Sequence, residues 1–484
     1  MVITNSNRLM CYLKNRSPMK KTTLFIFMLI KSISVFAQVP ATLKPADKIY
    51  GLSKFWEEVN YNFVYLDRIN IQQWDSTYRK LIETIPETKN DYEYYRELQK
   101  FCAILKDGHT GVYLPDSLQS KLMTTMFGDY KLFMENLEGK AIITRVNFSK
   151  RNEIPPGSEV IEVNGLNTSS YIEKYVAPYI SASATHVIQK VSIVRMFSGL
   201  AGESYKVIIR KPDGKKISLT LTHTKTEETA VYPDWDKHNG IFEFKWINKE
   251  IVYLGLYSFD NAAVVKQFIE KLPEISNAKG VILDIRNNGG GSSANAKNII
   301  KYFMEGNLIY GERTYSRLHI PADKAIGSFL QPQDTVAGKK EWGLSKKETV
   351  DYYNASKGSR LHAYAYEPDT VELDRSKIIV PTVILTGNYT ASAAEDFLIF
   401  ADGQKHIKRI GEKTNGSTGQ PYLIDLPGGG SAWICTKKAT YKDGREFVGI
   451  GVLPDVEIKK TVKDFIKGKD PALEKAVEDI KSRM

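Results

Sequence analysis

Three short segments of the 484-residue chain combine residue types that could carry out acyl transfer. In the last of them, residues 386–395, Ser392 lies among small residues between an apolar strand and a predicted helix. A serine at such a turn exposes its hydroxyl at a helix N-terminus, where the amide of Ala393 can face a developing oxyanion. A serine that begins a helix is more often only an N-cap, so Ser392 becomes a candidate nucleophile only together with the other two segments.

The second segment, residues 284–292, could supply the rest of an oxyanion hole. It ends in three consecutive glycines, whose backbone amides can approach a substrate carbonyl closely. We expect the amides of Gly290 and Ala393 to be the two donors, and the sequence does not separate Gly290 from Gly289 or Gly291. Triple glycines also form tight turns or phosphate loops, but the spacing of a phosphate-binding motif is missing.

The remaining segment, residues 105–111, comes first along the chain and could supply the base. A serine hydroxyl is a poor nucleophile at its own pKa and needs a proton acceptor. His109 is the only histidine next to a glycine turn directly after a predicted helix, and imidazole titrates near neutral pH. A single histidine in a loop is commonly structural, so only the three segments together indicate a catalytic site. No Gly-x-Ser-x-Gly elbow surrounds Ser392, which argues against an esterase or lipase of the α/β-hydrolase class.

The elements around these segments predict an α/β core over residues 240–460. Apolar strands at 251–256, 280–285 and 382–386 alternate with helical patterns, which favours a largely parallel sheet with crossover helices. Sites in such sheets assemble at the carboxyl ends of strands, where two of the three segments lie. Residues 312–375 are polar and rich in loop-forming residues, so we expect an insertion over the core.

The flanking regions have different patterns. Residues 45–126 show apolar spacings of three and four and predict an N-terminal helical region. Residues 127–225 predict short strands, with a turn at Asn164-Gly165. Residues 461–484 predict a C-terminal helix, with Asp470 as its N-cap and Pro471 as its first residue.

Residues 1–37 are typical of a secretory signal peptide. Basic residues after Met19 precede a short apolar run, and Val35 and Ala37 occupy the small positions before a cleavage site. The alternative is a membrane anchor, but Lys31 interrupts the run before it reaches the length of a membrane span. We therefore expect export to a periplasm or the extracellular space, no stable membrane anchor, and Met19 as a better start than Met1.

Composition excludes some functions. The net charge of +11 falls to +5 without the six basic residues of segment 1–37, and the remaining charges are interspersed, so a nucleic-acid partner is not expected. Cys102 and Cys435 could pair, or both could be buried free thiols. No metal-ligand spacing appears, and we expect no metal or organic cofactor.

Taken together, the motifs resemble those of the carboxyl-terminal processing peptidases and the tricorn protease core. The Asp-x-Arg-x-Asn-x-Gly-Gly pattern stands at 284–291 and the Thr-x-Ser-Ala-x-Glu pattern at 390–395. Residues 253–259 and 449–455 also resemble family segments. This resemblance implies a peptidase core of the ClpP/crotonase type and a PDZ-like domain at 127–225.

The family that the chain resembles has two branches, which differ in the residue that acts as base. One branch uses a lysine, and Ser417 stands where that lysine would be, with Lys413 four residues earlier. The tricorn-like branch uses a histidine, and the segment 107–110 (Asp-Gly-His-Thr) matches it. The resemblance therefore implies His109 as the base.

Two positions depart from the tricorn pattern. Gly108 replaces a serine, and Val448 replaces a glutamate that would orient the histidine. Glu446 lies two residues earlier and is a candidate substitute.

The combined expectation is an exported serine-type endopeptidase that acts on peptides or on C-terminal regions of proteins, as a tail-specific protease does. Ser392 would form the acyl-enzyme and His109 would act as general base. The partner would be a peptide or unfolded protein, and the sequence does not indicate an oligomeric state. The alternative is a catalytically inactive relative that binds peptides or lipophiles.

Overall fold

The computed structural model describes residues 43–234 and 240–484. The predicted signal peptide lies outside the described residues. Helices dominate the first part, where aromatic side chains form the core: Trp74 and Phe101 are stacked with ring centroids 3.9 Å apart. The elements are α1 (Pro45–Asn62), α2 (Ile71–Thr84), α3 (Asp91–Ala103), β1 (Gly111–Tyr113) and α4 (Asp116–Gln119).

A strand-rich region follows, with an eight-stranded sheet and its own hydrophobic core. Its principal strands run in the order β10-β9-β6-β5-β4-β3, and all pairs are antiparallel. The elements are β2 (Leu122–Met123), β3 (Met126–Phe127), β4 (Tyr130–Leu137), β5 (Lys140–Asn147), β6 (Ser158–Val163), β7 (Leu166–Asn167), α5 (Thr168–Tyr175), α6 (Thr185–Val194), β8 (Gly199–Leu200), β9 (Ser204–Arg210), β10 (Lys216–Thr222) and β11 (Val231–Tyr232).

The third part alternates strands and helices around a six-stranded sheet. Its first half contains β12 (Phe242–Trp246), β13 (Ile251–Leu256), α7 (Ala263–Ile275), β14 (Gly280–Asp284), α8 (Ser293–Ile300), β15 (Leu308–Ile309), β16 (Arg313–Arg317), α9 (Pro321–Gly327), α10 (Asp334–Ala337), α11 (Lys346–Lys357), β17 (Leu361–Ala363) and β18 (Asp369–Thr370). Its second half contains β19 (Thr382–Thr386), α12 (Ala393–Phe400), β20 (Ile407–Gly411), β21 (Pro421–Asp425), β22 (Ser431–Cys435), β23 (Lys438–Thr440), β24 (Val456–Glu457), α13 (Val462–Ile466) and α14 (Pro471–Arg483).

The six-stranded sheet runs in the order β12-β13-β14-β19-β20-β24, and only β12 is antiparallel to its neighbour. Alternate residues of β13 point to opposite faces, as strand geometry requires. Val252 and Leu254 join the core under α7, α8 and α12, whereas Ile251 and Tyr253 join a second core under α14. The predicted largely parallel α/β sheet is therefore confirmed, and the fold is mixed α/β.

Two small sheets attach other segments to this core. Strand β1 pairs with β22, which also pairs with β21, so the segment after α3 is fixed to the third part. Strand β16 pairs with both β17 and β23. The predicted loop-rich insertion at 312–375 contains three helices, α9 to α11, and is more regular than its polar composition indicates. None of the helices in residues 43–234 and 240–484 is both long and apolar enough to cross a membrane.

Candidate active site

Ser392 adopts a backbone conformation that side-chain-bearing residues rarely occupy. It precedes α12 directly with φ of 55° and ψ of −127°. Its side chain makes no capping hydrogen bond, which argues against the N-cap interpretation. Its carbonyl accepts from the amides of Glu395 at 2.7 Å and Asp396 at 3.0 Å. Strain of this kind costs roughly 1–3 kcal/mol and persists where the surrounding structure enforces it, commonly at functional sites.

The glycine loop packs directly against Ser392. A Cβ atom on Gly290 would lie 2.7 Å from the Cβ of Ser392 and 2.9 Å from the Ala393 nitrogen, so only glycine fits there. The amide of Ala393 is the first of α12 and has no acceptor among the hydrogen bonds of the described residues. It is therefore free to stabilise an oxyanion that forms beside Ser392.

The amide of Gly290 is already engaged. It donates to Asn288 Oδ1 at 2.9 Å, and Asn288 Nδ2 donates to the carbonyl of Leu256 at 3.0 Å. A role for Gly290 as oxyanion donor therefore requires this hydrogen bond to open. Within residues 240–484, the amides of Gly289 and Gly291 have no protein acceptor, so the structure leaves the second donor open among the three glycines.

His109 and Ser392 are hydrogen-bonded to the same residue, Ser417. Its Nδ1 is hydrogen-bonded to Ser417 Oγ at 2.7 Å, and its side chain packs against Gly419. The carbonyl of Ser417 accepts from the amide of Ser392 at 2.9 Å. Among the described residues no hydrogen bond joins His109 directly to Ser392. Ser417 thus links the predicted nucleophile and the predicted base, one through its backbone and the other through its side chain.

Asp107 organises the loop that carries His109. Its buried carboxylate accepts from the His109 amide at 3.2 Å and from Thr110 Oγ1 at 2.7 Å. Two serines of the strand-rich region complete the contacts. Ser183 Oγ accepts from the amide of Gly108 at 2.9 Å, and Ser181 Oγ lies 2.8 Å from the carbonyls of both Asp107 and Thr110.

The same segment of the strand-rich region also reaches the other loops. His186 Nε2 is hydrogen-bonded to the carbonyl of Thr414 at 2.7 Å, and Lys190 lies over the ring of Tyr389 at 4.1 Å. Both side chains belong to α6. Residues 181–190 therefore contact the His109 loop, the Ser417 loop and the nucleophile loop at once.

Glu446 is not a partner of His109. Its carboxylate pairs with Lys438 at 2.6 Å and with Arg68. The groups whose charge acts on the His109 ring are Asp107, Lys437 and Glu312. Burial is the largest influence and lowers the pKa of His109, while Asp107 opposes that effect. A lowered pKa keeps the imidazole neutral at physiological pH, as a general base must be.

Comparison with known proteins identifies the class of enzyme. Residues 250–458 match the profile of peptidase family S41. This chain is a serine peptidase. The carboxy-terminal processing protease CtpA of Bacillus subtilis (strain 168) is 24% identical over 407 residues, which cover 81% of this chain and 71% of that protein.

Solved structures show the same fold for most of the peptidase. Mature CPAF superposes with a TM-score of 0.66 at 14% identity, covering 90% of this chain and 98% of that one. CPAF complexed with lactacystin gives 0.63 at 13% identity, covering 90% and 97%. At such low identity the likeness concerns the fold alone.

The glutamate of the Thr-x-Ser-Ala-x-Glu motif has a structural role in the peptidase. Glu395 is fully buried and accepts from the amide of Gly416 at 2.8 Å, from that of Ser417 at 2.9 Å, and from Thr414 Oγ1. Burial raises its pKa to about 7, although these hydrogen bonds favour the charged form. Glu395 therefore ties the Ser417 loop to the helix that begins after Ser392.

The Asp-x-Arg-x-Asn motif is structural as well. Arg286 binds Asp284 at 2.6 Å and Asp470 at 2.8 Å, and the hydroxyl of Tyr253 donates to Asp284 at 2.8 Å. This network anchors the start of α14 to the end of β14. The glycine loop continues from the strand end that this network fixes.

A pair of neighbouring acidic residues, Asp396 and Glu312, was not predicted from the sequence. Asp396 is fully buried, and Ser293 Oγ donates to it at 2.6 Å. Burial and the nearby charge of Glu312 raise the pKa of Asp396, and Glu312 in turn pairs with Lys437. Within residues 43–234 and 240–484, this cluster acts on His109 through the charges of Glu312 and Lys437, without a hydrogen bond to its ring.

Cys102 and Cys435 are buried free thiols, so the possibility of a disulfide between them is not realised. The described residues contain no group of histidines, cysteines and carboxylates that could hold a metal ion.

Proposed function

We propose that this peptidase is an exported serine-type endopeptidase that cleaves peptides or C-terminal regions of proteins, with Ser392 as nucleophile and His109 as general base. The observation that carries the proposal is the conformation of Ser392. A strained, uncapped serine beside a free helix-terminal amide and a glycine loop has the geometry that acyl transfer needs.

The reaction would proceed in two steps. Ser392 Oγ attacks the peptide carbonyl while His109 accepts its proton, and the amide of Ala393 stabilises the oxyanion. Collapse of the tetrahedral intermediate breaks the C–N bond, and the protonated His109 gives its proton to the leaving amine. Water, activated by the same imidazole, then hydrolyses the ester and restores Ser392.

A cavity of about 1060 Å³ lies beside the His109 loop. Its wall includes Asp107 and Gly449, and apolar side chains such as Leu81, Phe101 and Ile188 contribute to its lining. Ser392 and His109 do not line this cavity, so the proposal does not rest on it.

Two further assignments belong to the proposal. Residues 127–225 would be a PDZ-like domain that adds an extended peptide to a strand, and the eight-stranded antiparallel sheet with α6 packed on β4 is compatible with that. Residues 240–460 would be a core of the ClpP/crotonase type. The boundaries 45–126, 127–225, 240–460 and 461–484 stay predictions.

Export rests on the sequence of residues 1–37. The protein produced with its own N-terminus in a Gram-negative host should accumulate in the periplasm and begin at Gln38, as intact mass would show. Recovery of the uncleaved chain in the cytoplasm would contradict export.

Labelling with a fluorophosphonate probe tests the enzymatic assignment. We expect one adduct, mapped by mass spectrometry to Ser392, and no adduct in Ser392→Ala or His109→Ala. A folded protein that takes no label would instead favour the inactive peptide-binding relative. That alternative draws on one observation, namely that the Gly290 amide is occupied by Asn288.

A further inference from the structure

The ring of His109 has one hydrogen-bond partner among the described residues, and it is not a carboxylate. Ser417 Oγ lies 2.7 Å from His109 Nδ1. In serine peptidase triads a buried carboxylate holds this nitrogen. The acidic candidates are engaged elsewhere: Asp107 accepts from backbone and Thr110, and Glu446 pairs with basic side chains.

Ser417 is held rigidly with respect to the nucleophile. Its amide donates to Glu395 Oε2 at 2.9 Å, and its carbonyl accepts from the amide of Ser392 at 2.9 Å. Glu395 and Ser392 both belong to the start of α12. A side chain fixed at both backbone ends can impose its own position on the imidazole that it touches.

Ser417 itself is badly placed to be the nucleophile. Its side chain is buried, with the whole residue only 2% exposed, so a polypeptide carbonyl cannot approach it. It also lacks the strained backbone that distinguishes Ser392, whose φ is 55°. Its hydroxyl is therefore available to support the base.

Proton transfer determines which atom donates in the hydrogen bond between His109 Nδ1 and Ser417 Oγ. If Nε2 accepts the proton of Ser392, both ring nitrogens then carry hydrogen, and Nδ1 must donate. Ser417 Oγ then accepts that hydrogen bond and stabilises the imidazolium that forms in the transition state. It also prevents rotation of the ring away from the nucleophile.

We propose that Ser417 is a positioning residue that orients His109 through Nδ1 and supports its protonated form, in the role that a carboxylate has in other triads. The proposal rests on the proposed function of Ser392 and His109. A neutral acceptor binds imidazolium more weakly than a carboxylate does, so its removal should cost less than loss of a triad carboxylate, which is about 10⁴-fold.

The test measures the rate at which the fluorophosphonate probe phosphonylates Ser392, with loss of fluoride, between about pH 5 and about pH 9. We expect Ser417→Ala to slow phosphonylation by about 10- to 100-fold, and Ser417→Thr, which keeps the hydroxyl, to recover most of the rate. Removing an acceptor from the imidazolium lowers the pKa of His109. The acid limb of the Ser417→Ala profile should therefore move to lower pH.

Thr418→Val is the matched control, because Thr418 is a buried neighbour on the same loop and no side-chain hydrogen bond joins it to His109 in the described structure. It should keep the parent rate and pH profile. A merely structural role for Ser417 would reduce the unfolding temperature and the rate but leave the acid limb in place, and that result would overturn the proposal. A Ser417→Ala rate equal to or above that of the parent would overturn it too.

Nitrogen-15 spectra of the unmodified protein provide a readout that needs no Ser417 variant. The difference from His109→Ala identifies the His109 signal among the seven histidines. At low pH its Nδ1–H should exchange slowly with water because it is bonded to a buried hydroxyl, and rapid exchange would contradict the proposal. If His109→Ala is phosphonylated at the parent rate, the proposed function fails and the Ser417 proposal fails with it. If only Ser417→Ala behaves like the parent, the Ser417 proposal fails alone.

Discussion

The segment around Ser392 and the segment around His109 reach the same site by different means. The nucleophile and the glycine loop follow neighbouring parallel strands, β19 and β14, whose residues Leu385 and Asp284 are in register. Sheet geometry alone places these loops together. His109 comes from the helical region, and side-chain hydrogen bonds from Ser417 and from residues 181–183 hold its loop.

This difference indicates where the site is fixed and where it is adjustable. The nucleophile half is determined by backbone geometry, down to the positive φ of Ser392. The base half depends on a few hydroxyl groups, and its imidazole is not yet hydrogen-bonded to the nucleophile among the described residues. Changes to the first half, or loss of the imidazole itself, should abolish activity, whereas changes to the groups that hold the imidazole should shift the rate and its pH dependence.

The largest effect should follow replacement of the nucleophile. Ser392→Ala and Ser392→Gly should both reduce turnover by about 10⁴-fold or more. Because glycine adopts positive φ without strain, Ser392→Gly should be more stable than Ser392→Ala by about 1 kcal/mol. Denaturant unfolding of both variants measures this, and equal stabilities would show that the backbone of Ser392 is not strained.

The next largest effect should come from the glycine loop. Gly290→Ala places a methyl group against Ser392 and Ala393 at a φ of 107°, so we expect phosphonylation by the fluorophosphonate probe to slow by about 100-fold or more. Gly289→Ala is the matched control, since its Cβ would meet no atom within 4 Å. The phosphonylation rate is measured for both variants, and equal rates would contradict the packing of the glycine loop against the nucleophile.

A change in the base half should alter pH dependence. The negative charge of Asp107 raises the pKa of His109, so Asp107→Asn should lower that pKa. The base works when neutral, and the acid limb of the rate profile follows its pKa, so the limb should move to lower pH. The rate at the plateau should fall by about tenfold through loss of loop contacts.

Asp116→Asn, at an exposed position at the start of α4, is the control for the Asp107 experiment and should leave the profile in place. A shift of the Asp107→Asn limb to higher pH would contradict the sign of this interaction.

The smallest effect should come from Glu446. Its ion pairs with Arg68 and Lys438 are partly exposed, so Glu446→Gln should change stability by about 1 kcal/mol or less. Peptidase activity should stay within about twofold of the parent, because Glu446 does not contact His109. A large loss of activity at unchanged stability would mean that Glu446 orients the base after all.

The sequence predicts the nucleophile half better than the base half, for a physical reason. Strands, helix starts and glycine turns are local, so Ser392 and the glycine loop can be found from short motifs. The helical pattern predicted between the strands 251–256 and 280–285 corresponds to α7, which continues through Pro273 into its last turn. Local propensity does not reveal such an extension, because tertiary packing stabilises it.

Contacts between distant segments are not encoded in any motif. Ser417 is recognisable in the sequence only as a departure from a lysine-using pattern, and its hydrogen bond to His109 joins residues 308 positions apart. The contacts of Ser181 and Ser183 with the His109 loop are equally remote. Likewise, the hydrogen bond that occupies Gly290 depends on the rotamer of Asn288, which spacing does not predict.

The most direct test of the account is a crystal structure of the protein after reaction with the fluorophosphonate probe. We expect phosphorus bonded to Ser392 Oγ, a phosphoryl oxygen within hydrogen-bond distance of the Ala393 amide and of one glycine amide from 289–291, and His109 Nε2 facing the adduct while Nδ1 remains on Ser417. An adduct on another residue, or an imidazole directed away from Ser392, would contradict the assignment of nucleophile and base.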